Sequence, residues 1–497
     1  MMSLVSSLSL LLTVLGAGPA SVKVPARVDT PVESRARSSR EWKPCGHTPV
    51  LLKDINPGSA GSEPRYLVHG DRVLFFNADD GAHGRELWKS SGTGGAGTFL
   101  VKDIRPGGES SDPHSLIEVG DRLFFSADDG MHGRELWVSD DTPAGTHMVK
   151  DILPGAEGAI SSPDSITFLP VGGFVYFGVY DPARGAALWR SDGTEEGTVV
   201  VKDYYGLHNS FSVTPGTEGP DGSIYYSTNI DYIVTLWRLG PGGDTVALDS
   251  VGNGSFYGFT WLGDVLVYVR QYDGPEAVLA RTEGTPETTY DLYDFGRLSG
   301  VAESPRDLTR LGGKVYFGAG DLPTGGELER GAELWRTNGT RAGTGMVKDI
   351  VPGPESSSPR YLQVLGGRLF FAAEDAGAGR ELWVSDGTAK GTRLFKDIEP
   401  GTGSSSPQDL LATEDWLFFT AETTGHGREV WVSDGTVAGT VQLDDIAPGP
   451  ASVLRPFDPA WFTRSGWDVF FAANDGVHGT ELWAVPFRPE DECRSSH

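Results

Sequence analysis

The chain has 497 residues, of which 68 are glycine, 32 proline and 23 phenylalanine, against only 5 methionines. This composition favours many short strands joined by tight turns over long helices. The formal net charge of −27 argues against duplex nucleic acid as a partner, because phosphate binding needs clustered Lys and Arg, and a cation or a basic partner fits this charge better.

The first 20 residues are typical of a cleaved export signal. Residues 1–15 form an apolar stretch that is too short to span a bilayer, and small residues follow it. Residues 21–44 are rich in Pro, Ser and Arg without apolar periodicity, which predicts a flexible leader. We therefore expect a protein that is secreted, extracellular or at the cell surface, and that has no membrane span.

One repeat of roughly 48 residues accounts for most of the chain. A Glu-Leu-Trp tripeptide or a variant marks each copy, and most intervals between successive tryptophans are 48 to 52 residues. The tryptophans are Trp88, Trp137, Trp189, Trp237, Trp335, Trp383, Trp431 and Trp483, and a ninth copy without Trp lies around Leu279. In the copy of Trp383, the apolar run 369–371 precedes the Trp, and a strand that ends in Lys396-Asp397-Ile398 follows it.

The turns of the repeat predict four short antiparallel strands, the unit of a propeller blade. Asp-Gly pairs such as Asp434-Gly435 favour hairpins, and Pro-Gly followed by Ser-Ser-x-Pro, as in residues 352–359, cannot continue a sheet ladder. The first recognisable piece is a lone last strand at 51–55, and the final copy stops after its third strand at Trp483. We therefore predict an all-β propeller of eight or nine four-stranded blades over residues 45–493, closed by a blade that the N- and C-termini share. Two smaller rings are the alternative, and residues 494–497 are a tail.

The two cysteines flank the predicted ring. Cys45 precedes the first strand and Cys493 follows the last, so ring closure would make them neighbours, and in an exported protein we expect a disulfide. Two unpaired surface thiols are the alternative.

The repeat resembles the bacterial ELWxxDGT repeat family, named for Glu-Leu-Trp, two residues, and Asp-Gly-Thr. Residues 381–388, Glu-Leu-Trp-Val-Ser-Asp-Gly-Thr, match this motif fully, and the resemblance covers about residues 50–485. Other copies depart from it, with Ser91 and Asn338 in place of Asp, Asp141 in place of Gly and Ala187 in place of Glu. The resemblance implies a secreted, propeller-like tandem-repeat protein and no established chemistry.

In a four-stranded meander, the loops after strands two and four emerge at one end of the blade and the other loops at the opposite end. The first end collects Asp-rich loops before Glu-Leu-Trp, where we expect any ligand site. Their acidic side chains are candidate calcium ligands: Asp79, Asp80, Asp128, Asp129 and Asp475. The alternative is that these acids form Asx turns.

Two further repeated features indicate structural roles and not catalytic ones. His83, His132, His426 and His478 each precede a Gly in these loops, and one His per blade cannot converge on a site, so we expect a turn or hydrogen-bonding role. The recurrent Glu of the Trp strand and the following Lys-Asp invite comparison with paired catalytic carboxylates. Because they recur in every blade, we expect cross-strand charge pairs instead, and we expect the Trp side chains to form the core between blades.

Residues 203–300 break the repeat and hold ten of the 15 tyrosines. Exposed aromatics on a rigid scaffold stack on sugars or anchor protein partners. The candidate ligand-binding residues are Tyr204, Tyr205, Tyr232, Tyr257 and Tyr272. Drift of the repeat, with tyrosines in place of core phenylalanines, is the alternative.

These features favour a monomeric, noncatalytic scaffold that binds a polysaccharide or an extracellular matrix protein. The alternative is an extracellular glycan-acting hydrolase or lyase on the propeller face. An enzyme should place one non-repeated cluster of acids, His or Arg around a central cleft, so the arrangement of those residues discriminates the two hypotheses.

Overall fold

The computed structural model describes residues 42–44, 48–70, 73–92, 97–160, 166–207, 210–274, 276–295, 304–321, 330–450, 452–453 and 460–489. These residues form 37 strands, two short 3-10 turns at Pro286–Thr288 and Arg341–Gly343, and no α-helix. The strands build nine four-stranded antiparallel blades of a propeller. The predicted all-β propeller is confirmed, with nine blades in one ring. Cys45 and Cys493 lie outside the described residues, as do the predicted signal and the tail.

The described part of the chain begins with two strands that belong to the last blade, β1 (Trp42–Pro44) and β2 (Val50–Lys53). Blade 1 is β3 (Arg65–His69), β4 (Leu74–Asp79), β5 (Arg85–Ser90) and β6 (Thr98–Lys102). Blade 2 is β7 (His114–Val119), β8 (Arg122–Asp128), β9 (Arg134–Ser139) and β10 (His147–Met148). Blade 3 is β11 (Leu169–Val171), β12 (Phe174–Asp181), β13 (Gly185–Ser191) and β14 (Val199–Asp203). Blade 4 is β15 (Ser210–Glu218), β16 (Ile224–Ile230), β17 (Ile233–Leu239) and β18 (Thr245–Gly252).

Blade 5 is β19 (Ser255–Leu262), β20 (Val265–Gln271), β21 (Ala277–Thr282) and β22 (Tyr290–Asp294). Blade 6 is β23 (Arg306–Leu311), β24 (Lys314–Asp321), β25 (Arg330–Thr337) and β26 (Gly345–Lys348). Blade 7 is β27 (Arg360–Leu365), β28 (Arg368–Asp375), β29 (Gly379–Ser385) and β30 (Arg393–Lys396). Blade 8 is β31 (Gln408–Ala412), β32 (Leu417–Thr423), β33 (Gly427–Ser433) and β34 (Thr440–Gln442). Blade 9 is β35 (Thr463–Ser465), β36 (Asp468–Asn474), β37 (Thr480–Pro489) and the returning β2.

The two ends of the ring meet in blade 9. Strand β2 pairs antiparallel with β37, with Val50 opposite Ala484, and β1 pairs with the far end of β37, with Trp42 opposite Pro489. Leu52 is buried in a cluster that also holds Leu482 of blade 9. The predicted closure through a shared blade is therefore confirmed.

The core consists of nine apolar clusters, one at each interface between consecutive blades. Successive strand residues point to opposite faces, so Phe370 of β28 packs towards blade 8 while Phe371 packs towards blade 6. Trp383 lies in the same cluster as Phe371, and Trp431 in the same cluster as Phe370. The repeated aromatic pairs and the Trp side chains thus join each blade to its two neighbours.

The lysine of Lys-Asp-Ile also links neighbouring blades. Lys396 of blade 7 lies 6.0 Å from the ring centroid of Trp431 in blade 8, and its Nζ donates to the carbonyl of Thr440 at 2.7 Å. Lys348 contacts Trp383 and Thr392 in the same way. The ammonium group therefore interacts with an aromatic face and a carbonyl of the next blade.

The recurrent Glu of the third strand does not pair with that lysine, so the expected charge pair is wrong. Glu381 is fully buried, and its carboxylate accepts from the backbone N–H groups of Ile398 and Ser405 and from the Ser405 hydroxyl at 2.6 Å. Donors in the segment between the outer strand and the next blade satisfy this carboxylate without a cation. We call this arrangement the Glu–Ser clamp.

Candidate functional site

The propeller has two ends with different loops, as the meander predicts. Loops after the second and fourth strands share one end, where the N–H of Asp128 donates to the carbonyl of Ser111 at 3.0 Å. We call this the Asp-rich end. The turns after the first and third strands lie at the opposite end, which we call the turn end.

The candidate calcium ligands at the Asp-rich end are engaged within their own loops. Asp80 Oδ1 accepts from the N–H groups of Ala82 and His83, and Asp80 Oδ2 lies 2.7 Å from His83 Nδ1. Asp79 accepts from the N–H of Gly81 at 2.8 Å. Equivalent bonds are made by Asp128 and Asp129 in blade 2 and by Asp475 in blade 9.

The Asp–His contacts shift both partners in the directions expected of an ion pair. The side-chain bond to Asp80 raises the pKa of His83, and bonds from His83 and Ala82 hold the pKa of Asp80 below its usual value against the opposing effect of burial. Over the described residues, no group of three or more His, Cys, Asp or Glu side chains is arranged to hold a metal ion. The geometry of these loops matches the Asx-turn alternative.

The fourth loop histidine has a different partner. His426 Nδ1 lies 3.1 Å from Asp445 Oδ2, which follows the outer strand of the same blade. The loop histidines thus each contact an aspartate of their own blade, as their recurrence predicts.

The candidate tyrosines are spread over blades 3, 4 and 5. Tyr204 is buried between blades 3 and 4, and its hydroxyl lies 2.8 Å from that of Tyr226, so it does not offer its ring to solvent. Tyr257 is half-buried against the core between blades 5 and 6. Burial raises the pKa of Tyr204 and Tyr257.

The other three candidates are more accessible. Tyr205 is half-buried beside Tyr204, and Tyr272 is half-buried with the Arg270 guanidinium 5.6 Å from its ring centroid. Tyr232 is 58% exposed at the tip of the β16–β17 hairpin, with φ of 64°. The degenerate blades therefore present one strongly exposed tyrosine.

A cleft opens at the turn end, opposite the end where the sequence led us to expect a ligand. It has a volume of about 510 Å³ and lies between the ends of the first strands of blades 8, 9 and 1. Its lining residues are His69, Leu411, Ala412, Thr413, Glu414, Arg464 and Gly466. The cleft therefore combines a short apolar floor with one imidazole, one carboxylate and one guanidinium group.

Polar contacts order the walls of the cleft. The Arg464 guanidinium forms an ion pair with Glu414 of the neighbouring blade, and it lies 5.2 Å from the ring centroid of Phe487. His69 Nδ1 lies 3.1 Å from Ser465 Oγ. Trp467 follows Gly466 on the same turn, and 46% of its surface is exposed. An exposed tryptophan thus directly follows the glycine that lines the cleft.

At the cleft, blades 8 and 9 depart from the repeat in the turn after the first strand. In blade 7 the turn after the first strand reads Leu-Gly-Gly-Arg at 365–368, whereas blade 8 has Thr-Glu-Asp-Trp at 413–416 and blade 9 has Ser-Gly-Trp-Asp at 465–468. His69, Glu414, Arg464 and Trp467 were not among the site residues that the repeat pattern predicted. A position-by-position comparison of these turns would have found them, because substitutions away from the repeated residues indicate a local role.

No family model matches the chain, and no curated protein matches it. Solved structures that it resembles include a prolyl endopeptidase (14% identity, TM-score 0.45, covering 87% of this chain and 54% of that one) and oligopeptidase B from Leishmania major (11%, 0.40, 76% and 54%). TolB from Acinetobacter baumannii is also similar (12%, 0.31, 59% and 63%). The chain spans about half to two thirds of the length of these proteins.

Proposed function

We propose that the protein is a noncatalytic scaffold that binds a segment of a polysaccharide in the cleft at the turn end. The observation that carries this proposal is a cleft lined by the Arg464–Glu414 ion pair and His69, with the exposed Trp467 one residue after the lining Gly466. Aromatic faces stack on apolar surfaces, whereas guanidinium, carboxylate and imidazole groups exchange hydrogen bonds with hydroxyls. Sugars present both kinds of surface.

Three contacts keep this site rigid. Arg464 is held between Glu414 and the Phe487 ring, and the Phe487 N–H donates to the carbonyl of Trp467 at 2.7 Å. Ordered walls reduce the side-chain entropy that is lost on binding. We therefore expect binding without a large conformational change.

The test is binding of maltohexaose, cellohexaose and mannohexaose, followed by a broader glycan array. We expect at least one glycan to bind the wild type and Trp467→Ala to weaken that binding by tenfold or more. Tyr232→Ala is the matched control, because it removes another exposed aromatic, at the Asp-rich end, and should leave binding unchanged. Loss of binding in Tyr232→Ala with retention in Trp467→Ala would place the site on the degenerate blades instead.

A glycan-acting enzyme is the second candidate, because the cleft holds a single, non-repeated His, Glu and Arg. Glu414 is the carboxylate that lines the cleft, and it is paired with Arg464, whereas most glycosidases use two carboxylates. The same glycans are incubated with the protein and analysed for new reducing ends or unsaturated products. Turnover that is lost in His69→Asn would overturn the noncatalytic assignment.

We further propose that the protein is exported, that the first 20 residues are removed, and that Cys45 and Cys493 form a disulfide. The pairing of β1, which immediately precedes Cys45, with the last strand of the ring supports the disulfide. The resemblance of the repeats to the ELWxxDGT family supports export. N-terminal sequencing of the mature protein and peptide mapping without reductant test both, and free thiols on both cysteines would contradict the disulfide.

Over the described residues, no helix is long and apolar enough to cross a membrane.

A further inference from the structure

The hydrogen bonds around Ser465 determine which nitrogen of His69 carries the proton. Ser465 Oγ donates to the carbonyl of Val73 at 3.0 Å, and the same oxygen lies 3.1 Å from His69 Nδ1. A hydroxyl has one hydrogen and a carbonyl can only accept, so both contacts are hydrogen bonds at once when Ser465 donates to Val73 and His69 Nδ1 donates to Ser465. In that neutral tautomer Nε2 retains its lone pair.

The ring is placed to use that lone pair. His69 is exposed at the end of β3 and lines the cleft, while its Nδ1 is occupied by Ser465. Nε2 is therefore the ring nitrogen available to a molecule in the cleft. Arg464 is a donor only, and Glu414 is already paired with it.

We infer that His69 Nε2 is the hydrogen-bond acceptor that selects a hydroxyl group of the bound sugar, and that Ser465 is the positioning residue that sets this tautomer. This inference rests on the proposed polysaccharide site and names one determinant of its specificity. A ligand with an ether or a hydrogen in place of that hydroxyl leaves Nε2 unpaired, which weakens binding.

The repeat shows that Ser465 replaces an apolar core residue. The equivalent position in blade 7 is Leu365, which is 3% exposed and belongs to the core between blades 7 and 8. Ser465 is equally buried, at 4% exposure, and its hydroxyl bonds only across to blade 1. Blade 9 therefore has a hydroxyl that orients the His69 ring at a position where blade 7 has an apolar core side chain.

The tautomer is measured directly in the unliganded full-length protein by the ¹⁵N chemical shifts of its histidines, with the His69 signals assigned by their loss in His69→Asn. We expect a protonated Nδ1 and an unprotonated Nε2, and we expect Ser465→Ala to abolish this preference. A protonated Nε2 in the wild type would overturn the inference, whatever the protein binds.

Binding separates the two ring nitrogens. The amide N–H of His69→Asn can reproduce the Nδ1 donor but supplies no acceptor at Nε2, so we expect at least tenfold weaker binding of whichever of maltohexaose, cellohexaose or mannohexaose the wild type binds. The amide oxygen of His69→Gln can reach the Nε2 position, and we expect affinity within about threefold of the wild type. Equal affinity of the Asn variant and the wild type overturns the inference and leaves the proposed function standing. A wild type that binds none of the glycans overturns the proposed function, while the ¹⁵N shifts still decide the tautomer.

Discussion

At the scale of single residues, the buried glutamates of the third strands do the most to organise the blades. Glu86 accepts from the hydroxyl of Ser111 at 2.5 Å, and Glu481 does the same with Ser62 at 2.6 Å, across 419 positions of sequence. Their recurrence predicts a structural role. Their partners could not be predicted, because the clamp serine lies in a connection that carries several serines of equal appearance.

The clamp in blade 7 offers a direct stability test. Ser405→Ala removes the hydroxyl that bonds Glu381 and leaves a buried carboxylate short of one donor, so we expect a loss of about 1–3 kcal/mol in the free energy of unfolding. Thr402→Ala, an exposed residue of the same connection, is the control and should change stability by less than about 0.5 kcal/mol. Urea denaturation measures both, and equal midpoints for the two variants would contradict the clamp.

The same glutamates make stability depend on pH. Burial raises the pKa of Glu86 and Glu135 to about 7 and that of Glu429 to about 8, from a value of 4.5. Glu429 accepts from the N–H groups of Ile446 and Ala447, and Val453 stands where other blades have the clamp serine. The ionised Glu429 carboxylate thus accepts from fewer donors than that of Glu86, which agrees with the larger rise of its pKa.

The sign of the effect follows from the raised values. Above pH 4.5 each of these glutamates holds its proton more tightly in the folded protein than in the unfolded chain. The stability that it contributes is therefore greatest at acidic pH and is lost as the pH rises through its raised pKa. We expect Glu429→Gln, which cannot titrate, to remove roughly 2–4 kcal/mol of that fall. Urea midpoints of the two proteins at pH 5 and pH 8 measure it, and parallel pH profiles would show that Glu429 does not contribute.

At the scale of elements, strands were easier to predict from the sequence than the use of the loops. Alternating apolar runs and Asp-Gly turns identify most strands, and the degenerate blades 4 and 5 still form four strands each. The role of the Asp-rich loops depends on where each carboxylate oxygen points. Composition suits a calcium site and an Asx turn equally well. The hydrogen bonds that Asp80, Asp129 and Asp475 accept from N–H groups of their own loops distinguish the two.

These loops predict the response to chelation. Because their carboxylates accept hydrogen bonds from neighbouring N–H groups and contact a histidine of the same loop, we expect EDTA to change the melting temperature by less than about 1 °C. Addition of millimolar CaCl₂ to the chelated protein is the complementary measurement. A concentration-dependent rise in melting temperature on adding calcium would restore the calcium hypothesis.

The candidate site was harder to predict because it is made of differences between repeats. His69, Ala412 and Arg464 occupy equivalent positions at the ends of three first strands, and only together do they wall a cleft. Counting repeated residues draws attention to the Asp-rich end. The informative signal is the replacement of Leu365 and Gly366 of blade 7 by Thr413 and Glu414 in blade 8.

At the scale of the whole molecule, stability depends on the contact between the two chain ends. Leu52 is 3% exposed in the cluster that joins blades 9 and 1, whereas Val50 of the same strand is 42% exposed. We expect Leu52→Ala to cost about 2–5 kcal/mol through the lost apolar contacts and the cavity left behind. Val50→Ala should have little effect, and thermal or urea unfolding that destabilises the two variants equally would argue against closure through β2.

Closure through β2 also means that this strand is synthesised well before its pairing partner. The strand at residues 50–53 leaves the ribosome before any of the eight complete blades, whereas its pairing partner β37 is made after all of them. The early strand therefore lacks this partner while blades 1 to 8 are synthesised. Newborn chains that stop short of residue 480 would lack its partner strand, and such fragments offer quality-control proteases an exposed apolar segment that the finished ring conceals.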